Sequence, residues 1–291
     1  MAEAITTLPL VGASMTAKEL PVHVDWLIAH QRDLEIQDPV FTPIFDNDWR
    51  HLDQIPGLSD GITYADWRRI AQTVRAQLNG YKGRLSIHGP FVGLPLMSLD
   101  REIRQVVSRR LRQALAFAEE IGATQMVLHS PWTFLGGPYM PYASIKGQQQ
   151  VIALTLDLVE PLLPIAKSAG CTLVFEGVFD KHPQPLLDLV KAFSSDYVRI
   201  SVDTGHAYIN HVQGGPSVDH WITTTAPFLA HLHLQDGDGC ADRHWAPGRG
   251  DINWYAVFEA LEAVDSMPRL ILETRRFREG AEWLAAQNYI R

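Results

Sequence analysis

The stretch A-H-L-H-L-Q-D-G-D-G-C-A-D-R-H-W-A-P-G-R-G-D-I-N-W, residues 230–254, decides how the chain is read. Its opening alternates with period two, Leu232 and Leu234 facing one way and His231 and His233 the other, as in a short buried strand that ends at Gln235 and Asp236. A polar loop follows. It carries Asp242, Arg243 and His244 and closes on Pro-Gly-Arg-Gly before a helix that begins near Asp251. A strand end that delivers a histidine, with a loop that returns an aspartate and another histidine, can surround a divalent cation with nitrogen and oxygen donors. Taken alone, the stretch fits a hydrogen-bonded core histidine equally well.

The same strand-then-helix pattern extends in both directions. Strands are expected at 8–14, 34–36, 84–88, 125–129, 171–176, 197–203, 230–234 and 269–273. Helices are expected at 18–30, started near Thr16, and at 64–78, 100–121, 184–193, 220–228, 252–263 and 278–288. A further helix over 144–169 must bend or break at Pro161 and Pro164. The least patterned region, 37–62, holds Pro39, Pro43, Pro56 and Trp49 and reads as an irregular insertion over one mouth of the fold. Eight short apolar strands, each separated from the next by a helical segment, predict a parallel sheet closed into a (β/α)8 TIM barrel, with 1–291 as one domain. No G-x-G-x-x-G follows a strand and no G-x-x-x-x-G-K-[ST] occurs, so the common nucleotide-binding folds have no support.

The ends of those strands carry the chemistry. His88 ends the third (L-S-I-H-G-P-F), His129 the fourth (M-V-L-H-S-P-W) and Glu176 the fifth (L-V-F-E-G). Asp203 ends the sixth with His206 three residues on (S-V-D-T-G-H), His233 lies on the seventh, and Glu273 closes the eighth (L-I-L-E-T). In a parallel barrel these ends meet on one face. One buried carboxylate or imidazole is ordinarily a satisfied core group. Six successive strand ends of this kind around one cavity would repel and desolvate one another unless a cation balanced them, which predicts divalent metal.

Length and composition bound the partners. The 291 residues are 46% hydrophobic and 20% charged, with a formal charge of -8, which argues against a broad surface for nucleic acid or anionic lipid. Cys171 and Cys240 make no disulfide framework. The N-terminal residues lack a basic, apolar leader and no run approaches a membrane span, so a cytoplasmic location is expected; homo-oligomerisation is left open.

These strand-end motifs resemble the xylose-isomerase-like TIM-barrel superfamily, which contains sugar and sugar-phosphate isomerases and epimerases and also endonuclease IV. The likeness runs from about Leu85 to Thr274. It implies that Glu176, Asp203, His233 and Glu273 bind a divalent metal. It extends to the nine-ligand set of endonuclease IV, whose remaining positions match His88, His129, His206, Asp242 and His244. By that analogy Glu176 bridges a first ion held by His88 and His129 to a second held by Asp203, His233 and Glu273, with His206, Asp242 and His244 holding a third. The resemblance therefore implies two or three ions of zinc or manganese per chain. Departures from endonuclease IV are H-S-P-W in place of H-P-G after strand four, Gly177 and Val178 in place of Asn and Thr after the glutamate, and the H-L-H-L-Q-D form of strand seven. Those forms look more like the sugar-phosphate isomerase and epimerase relatives.

Three functional readings follow. The first is a metal-dependent isomerase or epimerase of a small carbohydrate, working through an enediolate with Glu176 and Glu273 as catalytic base and acid. In it Phe91, Trp132, Arg243 and Trp245, beside the ligand positions, would contact substrate. The second is an endonuclease IV-like multinuclear zinc phosphoesterase, against which the acidic surface speaks: Arg243, Arg249, Arg275, Arg276 and Arg278 are the one concentration of positive charge expected near the site. The third is a barrel that binds metal or ligand without turnover.

Overall fold

A computed structural model describes residues 8–37, 67–132 and 145–291. Its strands are β1 (Gly12–Met15), β2 (Leu34–Ile36), β3 (Leu85–His88), β4 (Gln125–His129), β5 (Thr172–Gly177), β6 (Val198–Asp203), β7 (Leu229–Leu234) and β8 (Arg269–Leu272). They pair in sequence order, all parallel, and β8 returns to β1, so the sheet closes into the expected barrel. Closure brings β1 close to β2 at Gly12, where a Cβ would meet the Asp33 carbonyl oxygen at 2.1 Å, so only glycine fits. The first strand accordingly starts at Gly12 rather than at residue 8.

The helices form because each has an apolar stripe and a stop. In α3 (Arg101–Ile121), Asp100 Oδ1 accepts from the amides of Glu102 and Ile103, Val107, Leu111, Ala114, Leu115, Ala118 and Ile121 turn inward, and Gly122 at φ 76° ends the helix. Before it come α1 (Leu20–His30) and α2 (Trp67–Gln77); Thr16 and Glu19 make a reciprocal capping box ahead of α1. The long helix of the second half breaks at its prolines as expected, into α4 (Ile145–Val159), a 3-10 turn (Glu160–Leu162) and α5 (Leu163–Ser168). Then come α6 (Gln184–Ala192), α7 (Thr204–Val212), α8 (Val218–Thr225), α9 (Trp254–Glu262) and α10 (Phe277–Ala286).

Helix α7 was not expected. It begins directly after β6 because Asp203 caps it, Oδ1 accepting from the His206 amide at 2.7 Å. The unpatterned insertion, 37–62, lies outside the described residues apart from Gln37. No helix among the described residues is long and apolar enough to cross a membrane.

Register stacks the polar residues in levels. Glu35 pairs with Ser86, His129 with Glu176, Glu176 with Ser201, and Asp203 with His233. Alternation along each strand then aims Glu35, Ser86, Ser201, His231 and His233, all fully buried, into the barrel, while Leu232, Leu234 and Val202 pack under the helices.

Candidate metal centre at the C-terminal mouth

Each strand end delivers its side chain to one place. His88, Glu176, Asp203, His206, His233 and Glu273 are buried and His129 partly exposed, with Glu176 in the middle. Glu176 Oε2 lies 3.3 Å from His233 Nδ1, 3.7 Å from His88 Nε2 and 4.0 Å from His129 Nε2, and Oε1 lies 3.1 Å from His206 Nδ1. Glu273 Oε2 reaches the same His233 nitrogen at 3.4 Å.

Partners on the far side of each ring show which nitrogen faces this cluster with a lone pair. His88 Nδ1 lies 3.0 Å from the Gly89 carbonyl oxygen, which can only accept, so Nδ1 carries the hydrogen and Nε2 turns a lone pair toward Glu176. His233 donates from Nε2 to Glu35 Oε1 at 2.9 Å and turns Nδ1 toward Glu176 and Glu273. His244 donates from Nδ1 to the Glu273 carbonyl oxygen at 2.9 Å and turns Nε2 to Asp242 Oδ2 at 3.0 Å. In their neutral forms these three imidazoles turn acceptors toward carboxylate oxygens. Both oxygens of Glu176, Nδ1 of His233 and Nδ1 of His206 are buried without a hydrogen-bond partner. So desolvated a cluster needs positive charge, which ring protons supply in the metal-free protein and which a cation would supply when bound.

Three groups of donor atoms have the spacing for an ion, every atom within 4.8 Å of the others: Glu35, His231 and His233 deeper in the barrel and, at the mouth, His88, His129 and Glu176, and Glu176, Asp203, His233 and Glu273. The two at the mouth are the first and second sets that the family resemblance implied, with Glu176 common to both. The residues of the implied third set meet at Asp242 Oδ2, 3.4 Å from His206 Nε2 and 3.0 Å from His244 Nε2. The third set is more open, with the Asp242 side chain 44% exposed and that of His244 39%.

The charges are strongly coupled. Burial alone would raise the Glu176 carboxyl, yet the imidazoles of His233, His206 and His88 hold it well below the usual range. Burial raises Asp203 and Glu273. Burial lowers the imidazoles, but neighbouring carboxylates outweigh it at His88 and His244, both pushed up to about 9, and at His206 and His233. At His129 burial prevails and the pKa falls to about 3.

Gln235 organises the contacts behind the ligands. Its Nε2 donates to both oxygens of Asp203, at 3.1 and 3.2 Å, and to Asp242 Oδ1 at 2.9 Å, while its Oε1 accepts from the His244 amide. Gly205 leaves it the space: a Cβ there would meet the Gln235 Cδ at 2.5 Å. Asp236, fully buried, ties the returning loop down by accepting from the amides of Gly237, Gly248 and Ile252 and from Trp254 Nε1.

The expected substrate contacts are mixed. Phe91 sits over the histidines, its ring centroid 4.9 Å from that of His88 and 4.1 Å from that of His129. Trp245 is exposed, with the Arg243 guanidinium 5.5 Å from its ring. Arg243 itself pairs with Asp238 through Nε and Nη2, the latter at 2.8 Å. Trp132 departs from the expectation of a rim aromatic: it is 1% exposed and packs as core. The expected basic concentration is partly neutralised, since Arg249 and Arg276 both pair with Glu279.

Sequence reasoning missed Glu35, whose three-residue strand gives no pattern, and gave no role to His231, Gln235 or Asp180. For His231 and Gln235 a signal existed: two histidines and an amide on one side of H-L-H-L-Q.

The fold and this donor set define a parallel (β/α)8 barrel that gathers histidines and carboxylates at its C-terminal mouth. The chain belongs to the xylose isomerase-like TIM-barrel family, whose profile matches residues 46–288. A D-psicose 3-epimerase of Ruminiclostridium cellulolyticum is 26% identical over 194 residues, 64% of this chain and 61% of that one. The TTHB071 protein from Thermus thermophilus superposes with a TM-score of 0.68 over 95% of this chain and 96% of that one, at 24% identity. The 3-keto-D-glucoside 4-epimerase YcjR from E. coli superposes with a TM-score of 0.69 over 96% and 99%, at 14% identity. At these identities the two superpositions bear on the fold alone.

Proposed function

We propose that the protein is a divalent-metal-dependent epimerase or isomerase of a small ketose or ketose phosphate. One observation carries the reading: Glu176 and Glu273, from strands three apart in the barrel, converge with Asp203 and His233 into one ion-sized group. Membership of the family and the likeness in sequence to a D-psicose 3-epimerase support it. The ion, zinc or manganese, would be held by these four residues, with a second on His88, His129 and Glu176. When bound, it supplies positive charge that polarises adjacent oxygens of the substrate.

The carboxylates do the proton work. One removes the hydrogen from the carbon beside the carbonyl, leaving an enediolate, and the other returns a proton. Return to the opposite face of the same carbon inverts it; return to the neighbouring carbon isomerises the sugar. His233 stands between the two, its Nδ1 3.3 Å from Glu176 and 3.4 Å from Glu273, and Phe91 and Trp245 offer ring surface to a sugar's apolar face.

Ketoses and ketose phosphates incubated with metal-loaded enzyme in heavy water test this. Deuterium should appear on the carbon beside the carbonyl, and uptake from none of the panel would overturn the reading.

The set at Asp242 favours a second reading, a multinuclear zinc phosphoesterase, because an enediolate mechanism has no evident use for a third cluster. Catalytic cleavage of an abasic-site duplex without deuterium uptake from any sugar would select it.

A further inference from the structure

Beneath the mouth, one level deeper in the barrel, lies a second polar group, joined to the first through His233. Glu35, His231 and His233 are all fully buried, with Ser201 beside them. Glu35 Oε1 accepts from His233 Nε2 at 2.9 Å, and Oε2 lies 3.2 Å from His231 Nε2. Ser201 Oγ lies 2.9 Å from the other nitrogen of His231, Nδ1. The two rings stand at 90°, 4.6 Å apart, so each offers its Nε2 to a different oxygen of one carboxylate.

A serine hydroxyl donating to His231 Nδ1 leaves the ring hydrogen on Nε2, facing Glu35. An ionised Glu35 accepts from His233 Nε2, and its other oxygen lies 3.2 Å from His231 Nε2 without hydrogen-bond alignment. Neutral His233 then keeps its lone pair on Nδ1. The two sides of His233 are therefore opposite in kind. Below, donor meets acceptor; above, at 3.3 and 3.4 Å, its lone pair meets carboxylate oxygens of Glu176 and Glu273.

We infer that Glu35 is a positioning residue for the metal centre: it keeps the hydrogen of His233 on Nε2, making Nδ1 the ligating atom, while Ser201 and His231 brace its second oxygen. Glu35, His231 and His233 also have the spacing for an ion, but a hydrogen on the Nε2 of each ring fills the space beside the carboxylate, so Glu35 acts here through His233 and not as a ligand. The inference rests on the metal reading above, but the placement of the His233 hydrogen is open to measurement without metal.

The test uses the full chain as wild type, Glu35→Gln and Glu35→Leu, each checked by circular dichroism. Zinc binding is titrated by calorimetry, and ring hydrogens are located by long-range nitrogen–proton NMR with and without zinc. Wild type should show a slowly exchanging hydrogen on His233 Nε2 in both states. Glu35→Leu should lose that protection and weaken zinc binding about 10- to 100-fold with unchanged stoichiometry. Glu35→Gln keeps one oxygen to accept from His233, so it should fold and fall between the two. Should Glu35→Leu not fold, Glu35→Gln decides: protection and affinity both equal to wild type would overturn the inference.

Other outcomes separate the two readings. Loss of one ion from Glu35→Gln, with the remaining affinity unchanged, would make Glu35 a ligand and overturn the positioning role. A hydrogen on Nδ1 alone in metal-free wild type would overturn it too. Wild type that binds no zinc yet keeps the Nε2 hydrogen, lost in Glu35→Leu, would sink the metal reading and leave Glu35's control of the ring intact.

Discussion

The two ends of this barrel treat buried polarity in opposite ways. At the N-terminal end most buried donors meet acceptors, Arg32 Nε and Gln125 Oε1 being exceptions. Arg84 grips Asp33 through Nε at 2.9 Å and Nη2 at 2.6 Å, Arg32 Nη1 donates to the Val11 carbonyl, and Tyr81 donates its hydroxyl hydrogen to the Arg32 carbonyl. Arg269 crosses the barrel floor to the Leu85 carbonyl and to Thr124 Oγ1, and Gln125 Nε2 donates to the Ala230 carbonyl. At the C-terminal end carboxylates and imidazoles crowd around Glu176, whose two oxygens lack a hydrogen-bond partner. Pairing at one end stabilises the fold, and the crowded groups at the other have the spacing for a cation, the division expected of a parallel barrel.

That contrast can be broken most severely at its centre. Glu176→Gln should leave the circular dichroism spectrum intact and lower deuterium exchange by roughly 10³-fold, since it removes both a proton-transferring group and a charge shared by two ion-sized groups. Glu273→Gln should act the same way, assayed at saturating metal. Unfolding of both variants would make these carboxylates structural and erase the difference between the ends.

Metal content sharpens the comparison next. Protein loaded with zinc or manganese and desalted should carry two or more ions per chain by elemental analysis, and a value fixed at one would limit the centre to a single group. Asp242→Ala should remove or weaken only the outer ion, by about 10- to 100-fold, because Asp242 is the link between His206 and His244.

The opposite end should respond in stability alone. Arg269→Met strands the Leu85 carbonyl and Thr124, at a cost of about 2–3 kcal/mol in urea unfolding, with metal stoichiometry unchanged. Loss of metal from this variant without loss of stability would mean that the floor serves the site directly.

A pH-dependent effect is expected at Asp180, where the mouth resembles a core. Its Oδ2 accepts from Ser130 Oγ at 2.5 Å and from the Val178 amide, but Oδ1 has no partner. Burial pushes its pKa up to about 7. The folded protein therefore holds a proton that the unfolded chain releases near pH 4. Asp180 contributes most stability below that pH, and the contribution is lost as pH rises through about 7. Asp180→Asn should flatten the fall in urea midpoint between pH 4 and 8; an unchanged slope would place the titration elsewhere.

Taken by itself, the sequence determined the barrel and the roster of strand-end donors. Both are local: a strand's period-two alternation is written in consecutive residues, and the residue at its end is carried to the mouth wherever neighbouring strands lie. Thus His88, His129, Glu176, Asp203, His233 and Glu273 were legible in order. Helix α7 was not, because its start depends on Asp203 serving as a cap as well as a candidate ligand. Trp132 was misplaced for a related reason, since an aromatic beside a ligand reads the same whether it lines a rim or fills a core.

Only the tertiary structure decided which nitrogen of His233 and of His244 faces the centre, because each ring lies against a partner distant in sequence: Glu35 for His233, 198 residues away, and the Glu273 carbonyl for His244. A three-residue strand such as Leu34–Ile36 gives no periodicity to announce Glu35, and Ser201 gains its place beside His231 only from register. Closing the barrel sets those contacts, and closure is a property of eight strands together.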